Sequence, residues 1–172
     1  LSDEKGAEMR EAISEAKSQQ DSVGGAIECG VFGLPPGLGS PDFGGNAEGI
    51  FSQYLFAVPA VKSVSFGAGV GFAYMLGTEA NDPFVVEGGK VVTKTNNAGG
   101  VNGGITNGMP VVFEVTLRPT PSIALPQESV DLRTGEELEI EIKGRHDPCI
   151  VPRAVPVIEA AAALAACEVL GI

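Results

Sequence analysis

Residues 110–122 read PVVFEVTLRPTPS, a run of strict alternation that passes directly into a proline-stiffened segment. Val111, Phe113, Val115 and Leu117 fall on one face of an extended chain, and Val112, Glu114, Thr116 and Arg118 on the other. A period of two with one apolar face marks a strand that buries that face. What the neighbouring stretches contribute then decides the fold class.

Upstream, DEKGAEMREAISEAKSQQ (3–20) puts Met9, Ala12, Ile13 and Ala16 on one side of a helix, with Asp3 and Glu4 in the first turn where the helix dipole favours acids. AIECGVF (26–32) reads as a strand that runs into the broken LPPGLGSP. Asn46 is placed to cap a second helix to about Ala57, with Ile50, Phe51, Tyr54 and Leu55 as its apolar stripe, and Pro59 marks a break. VKSVSFGAG reads as a half-buried strand carrying Val64 and Phe66 on one face, and FVVEGGKVVTK as a hairpin turning at Gly88 and Gly89. TNNAGGVNGGITNG has two readings: glycines that let backbone approach a ligand, or a flexible linker.

Downstream, SVDL and EELEIEIK joined by RTGE predict another hairpin, with Leu138, Ile140 and Ile142 pointing inward. PVIEAAAALAACEVLG closes the chain as a small-residue helix with Pro156 in its first turn. Helix, strand, helix, several mostly antiparallel strands and a last helix predict an α+β fold, in one domain spanning 1–172. No repeat period is present.

With 172 residues the chain can bury roughly 70% of its unfolded surface. No apolar run reaches membrane-spanning length, so no membrane association is expected. The opening LSDEKGAEMR lacks the basic and apolar regions of a secretory signal. Leu1 is not an initiator methionine, which suggests a piece of something longer. Cys29, Cys149 and Cys167 fit neither a disulfide framework nor a CxxC metal site, and a reducing, cytoplasmic setting is expected. A formal charge of −11 disfavours nucleic-acid binding. Yet five of the eleven basic residues, Arg118, Arg133, Lys143, Arg145 and Arg153, fall within 118–153. Converging guanidinium groups can grip phosphate or carboxylate, while composition alone favours surface ion pairs.

Familiar catalytic signatures are missing: there is no GxSxG, Walker loop or HExxH, and a lone histidine makes no histidine-rich metal site. GAGVGFA (67–73) lacks the glycine spacing and the βαβ setting of a dinucleotide loop. Taken alone, His146 reads as a structural histidine, Asp147 before Pro148 as a turn former or cap, and Cys149 as a buried thiol.

The ordered set DSVGGAIEC, GLPPGLGSPDF, VPAVKSVSFGAG, TNNAGGVNGGITNG, RPTPSIALPQ and GRHDPCIVPRAVPVIEA closely resembles chorismate synthase, from about Asp21 to Glu159. The resemblance implies a β-α-β sandwich, helices packed on antiparallel sheets, of which this chain is about one half and the C-terminal portion. It implies a lyase that converts 5-enolpyruvylshikimate 3-phosphate to chorismate by 1,4-anti elimination of phosphate, in the shikimate pathway, with reduced FMN and no net redox change. By similarity Asp147 is the acidic residue near flavin N5. FMN contacts fall on Pro59, Ala60, Gly103, Arg118, Pro119, Thr120, Pro121, Ser122 and Arg145. Arg118 stands where the family usually has lysine, keeping charge but not hydrogen-bond geometry. GGNAEGIFSQYLFA departs from the family's more acidic start to that helix. The family's two catalytic histidines, its relay serine and its basic substrate-binding residues have no counterparts here. A homotetramer is implied for the full enzyme. FMN reduced externally is expected, since nothing resembles an NADPH-dependent flavin reductase insertion. The alternative is a non-catalytic structural fragment with residual flavin affinity.

Overall fold

The computed structural model describes residues 2–172 and forms two compact units. One comprises residues 1–25 and 118–152, the other 26–117 and 153–172. Each is built from two separated stretches, so neither is a contiguous sequence domain.

The larger unit is organised around the alternating apolar strand of residues 111–117. Strand β1 (Gly25–Val31) and strand β2 (Val61–Phe66) flank β7 (Val111–Leu117) in a three-stranded sheet ordered β1-β7-β2. β2 and β7 run antiparallel, with Phe66 opposite Phe113 and Val64 opposite Val115. Val111, Phe113, Val115 and Leu117 are all buried, as the alternation requires. Helix α2 (Ala47–Phe56) is capped by Asn46, whose side chain accepts the Gly49 N–H at 3.0 Å. From it Phe51 and Leu55 reach full burial. The Phe51 and Phe66 rings lie 5.9 and 5.8 Å from that of Phe113, tilted as aromatic quadrupoles prefer.

Between β2 and β7 the chain forms a 3₁₀ turn (Gly69–Tyr74), a short α3 (Gly77–Ala80), the hairpin β3 (Phe84–Glu87) with β4 (Lys90–Thr93), and the hairpin β5 (Val101–Asn102) with β6 (Ile105–Thr106). The 3₁₀ turn and α3 carry no strong periodicity and were not anticipated. The glycine-rich stretch is packed structure, not a linker. A Cβ on Gly99, whose φ is +65°, would fall onto the Gly67 amide nitrogen. GAG and AGG therefore exist as a pair of backbones in contact.

α4 (Val151–Leu170) buries Ala154, Ile158, Ala161, Ala162, Ala165, Ala166 and Val169 along one face. It begins earlier than the sequence suggested, so Pro156 sits inside the helix and not in its first turn. Lacking an N–H, Pro156 leaves the Pro152 carbonyl without its helical partner.

The smaller unit contains α1 (Asp3–Ser18), capped by Ser2, and the hairpin β8 (Gln127–Val130) with β9 (Glu137–Ile140). Of the expected α1 stripe only Ala16 is buried; Met9 is 50% exposed. Leu138, Ile140 and Ile142 are likewise 39%, 37% and 36% exposed, a correction to their inward reading. β8 and β9 form a two-stranded sheet, so no further strand extends it to cover those side chains. Among the described residues no helix is long and apolar enough to cross a membrane.

Gly99→Ala should destabilise the chain by at least about 2–3 kcal/mol, because backbone and not a flexible side chain occupies the space. Urea unfolding checks it; a midpoint equal to the parent's would contradict the packing described.

Candidate functional site

Three sequence motifs meet in the smaller unit. After α1 the chain turns through Ser22 and Val23. The Ser22 hydroxyl donates to the Thr120 carbonyl at 2.6 Å, and the Val23 N–H donates to the Pro148 carbonyl at 2.8 Å. The Ala124 N–H donates to the Gln20 carbonyl at 3.3 Å. RPTPS and RHDP are thus each tied to the same short segment. They are also tied to each other, because Ser122 Oγ lies 3.0 Å from His146 Nδ1. The other ring nitrogen of His146 lies 2.9 Å from the Ile142 carbonyl. A carbonyl only accepts, so Nε2 carries a hydrogen, and the Ser122 hydroxyl, which can donate or accept, pairs with Nδ1. Pro119 and Pro121 are exposed and restrict the backbone on either side of Thr120.

With the Ser122 hydroxyl engaged, Thr120 is the residue of this segment with an unanswered group: its Oγ1 is buried with no hydrogen-bond partner. A buried hydroxyl without a partner costs roughly 1–3 kcal/mol, so such an atom calls for an explanation. Arg118 and Arg145 are exposed and take part in no ion pair among the described residues. The surface ion pairing that composition favoured does not account for either. Asp147 is half-buried. Beside His146, a cavity of about 170 Å³ is lined by Lys17, Gln20, Asp21, Ala124 and Pro148.

The remaining sequence-predicted residues, Pro59, Ala60 and Gly103, belong to the larger unit. Pro59 and Ala60 make the turn from α2 into β2, where Ala60 has φ +75°. Positive φ is uncommon outside glycine, and such residues gather at ligand sites. Gly103 and Gly104 close the β5–β6 hairpin with φ +57° and +84°. A Cβ at Gly103 would meet nothing within 4 Å, whereas one at Gly104 would strike the Ser40 carbonyl. Gly103 is the open side of the turn and Gly104 the packed one.

Asp82 holds the glycine-rich segment in place and was missed by the sequence reading. Its carboxylate accepts from Thr95 Oγ1 at 2.6 Å and from the Asn97 and Ala98 N–H groups at 2.7 and 2.8 Å. Burial pushes its pKa up, but the hydrogen bonds from Thr95, Ala98 and Asn97 outweigh this and hold it below its ordinary value. Nearby, Asn96 donates to the Pro110 carbonyl at 2.9 Å while its Oδ1 is buried without a partner. ANDP offered an Asx-type signal for Asp82. Ser22 had no signal beyond its place in DSVGG. Burial, and then Glu159, raise the Cys29 pKa, which favours the thiol over the nucleophilic thiolate.

These features define an α+β protein with motif segments clasped together in one unit. The chain belongs to the chorismate synthase family, whose model, described as chorismate synthase, matches residues 1–170. A chorismate synthase from Thermococcus gammatolerans is 53% identical over 152 residues, which cover 88% of this chain and 42% of that relative. The similar protein from Aeropyrum pernix is 45% identical over 162 residues, covering 94% of this chain and 42% of the relative. A solved structure described as a crystal structure of chorismate synthase matches with TM-score 0.77 and 30% identity, covering 97% of this chain and 43% of that one. The chain therefore spans less than half the length of the relatives it matches, and the antiparallel sheets with helices agree with the expected sandwich.

Thr120→Val should raise stability by about 1 kcal/mol, since it replaces an unsatisfied buried hydroxyl with a methyl of similar shape. A lower urea midpoint would show that the hydroxyl has a partner in the free protein. Asp82 binds its proton more weakly when folded, so it contributes stability above its unfolded pKa of about 3.9 and loses it as pH falls through the lowered native value. Between about pH 5 and pH 3 the parent should lose more stability than Asp82→Asn; equal losses would contradict the role assigned to this carboxylate.

Proposed function

We propose that this chain forms part of a chorismate synthase, a lyase acting on 5-enolpyruvylshikimate 3-phosphate with reduced FMN. The observation that carries the reading is the partnerless buried Thr120 hydroxyl, set in a segment bonded to the loop of Arg145 and Asp147. The residues present suit an anionic flavin. In the smaller unit Arg118 and Arg145 supply positive charge that is in no ion pair among the described residues, and Thr120 supplies an unused hydroxyl; in the larger unit, taken by itself, Pro59, Ala60 and Gly103 offer exposed or strained backbone at turns.

In the reaction a ring proton and phosphate leave from opposite faces. The electron pair of the broken C–H bond forms the new double bond, and phosphate departs with the C–O pair, so no net oxidation occurs. Reduced FMN, when bound, supplies electron density that eases phosphate loss and is recovered within the turnover. The chain's own residues do the rest of what falls to it. Guanidinium groups offset the charge of anionic ligands, and Asp147 accepts and returns a proton near flavin N5. His146, engaged at both ring nitrogens, is not the histidine that protonates substrate or leaving group. Those groups come from the remainder of the enzyme, and the chain alone is inactive. The complete enzyme is a cytoplasmic homotetramer supplied with externally reduced FMN.

The test is anaerobic chorismate formation from 5-enolpyruvylshikimate 3-phosphate with chemically reduced FMN, using this chain with and without the complementary portion of a chorismate synthase. Turnover is expected only in the mixture and should fall at least about 100-fold with Asp147→Asn. Full turnover by the Asp147→Asn mixture, or no turnover in any combination, would overturn the reading.

A further inference from the structure

The geometry points to His146 as a positioning residue: an imidazole locked between two partners, which sets the RPTPS segment against the RHDP loop while the Thr120 hydroxyl stays unused. The inference rests on the flavin-site reading above and adds a role to a residue that reading leaves without one.

Three observations carry it. The ring is bonded at both nitrogens, to the Ile142 carbonyl at 2.9 Å and the Ser122 hydroxyl at 3.0 Å, which fixes its tautomer and both of its torsions at once. Its Ser122 partner lies two residues from Thr120, and its own chain neighbours are Arg145 and Asp147, so one ring joins the two segments that hold the site. The Ser22 hydroxyl meanwhile occupies the Thr120 carbonyl at 2.6 Å, so the backbone of that residue is held while its side chain is not. The backbone of Thr120 is thereby placed on both sides, and from that position its buried hydroxyl meets no protein partner. Preorganisation of this kind lowers the ordering cost of binding and does not require that His146 touch the ligand.

The chain has one histidine, which makes the test clean. The chain labelled with ¹⁵N-histidine is combined with unlabelled complementary portion, and long-range imidazole correlation spectra are recorded. A single Nε2–H tautomer is expected, with the Nδ1 resonance moving in Ser122→Ala; averaging between tautomers would overturn the clasp. FMN titration by flavin fluorescence is then run on the parent, His146→Phe, Ser122→Ala and the double variant. Each single change should weaken binding roughly tenfold or more, and the double no more than His146→Phe alone, because that change already removes the Ser122 bond together with the one to Ile142. Multiplying losses would mean that the two residues act separately and would sink the positioning role. His146→Asn, which returns an acceptor for Ser122, should recover most of the affinity lost in His146→Phe; no recovery argues for bulk packing instead. If the ring is fixed but the parent binds no FMN, the flavin reading fails and the positioning role falls with it, while the clasp stands as structure.

Discussion

Everything in the larger unit depends on burying one face of β7. Val111, Phe113, Val115 and Leu117 are each sealed from solvent, with strands on both sides and α2 bringing Phe51 onto Phe113. Burying a large apolar side chain contributes about 1.5–3 kcal/mol, so this one strand holds a large part of the core. Because side chains alternate, a slip of one residue would turn that face outward and expose all four. The register is therefore fixed, and so is the point at which β7 ends and Arg118-Pro-Thr-Pro-Ser begins. The strand that decides the fold also decides where the candidate site starts.

Beyond β7 the dominant force changes from burial to hydrogen bonding. Segments 22–23, 118–122 and 145–148 contain few large apolar groups and are held by Ser22, Val23, Ser122 and His146 through individual polar contacts. The glycine-rich stretch is held in a similar way, by the Asp82 carboxylate and by backbone contact at Gly67 and Gly99. In both places the protein spends polar groups on fixing loops and leaves a few atoms unanswered, Thr120 Oγ1 and Asn96 Oδ1 among them. Unsatisfied buried atoms are costly in a free protein and useful in one that waits for a ligand.

Local patterns were legible where one period governs a whole element. The β7 alternation, the Asn46 cap of α2 and the Gly88–Gly89 hairpin all follow from side-chain spacing or turn chemistry alone. The inward reading of Leu138, Ile140 and Ile142 failed because alternation reports which residues share a face, not whether anything covers it. Pro156 misled because the helix starts at Val151, a full turn before the proline that suggested its first turn. The chemistry proposed for the site comes only from resemblance of whole motifs. Nothing in spacing reveals that Ser122 is occupied and Thr120 is not, since that depends on where His146 arrives from residues far along the chain.

The most direct measurement is an experimental structure of the chain with its complementary portion, FMN and 5-enolpyruvylshikimate 3-phosphate bound. The account predicts flavin within hydrogen-bonding distance of Thr120 Oγ1, with Arg145 against its anionic end and His146 still bonded to Ser122. Flavin bound elsewhere, with the Thr120 hydroxyl still lacking a partner, would contradict it.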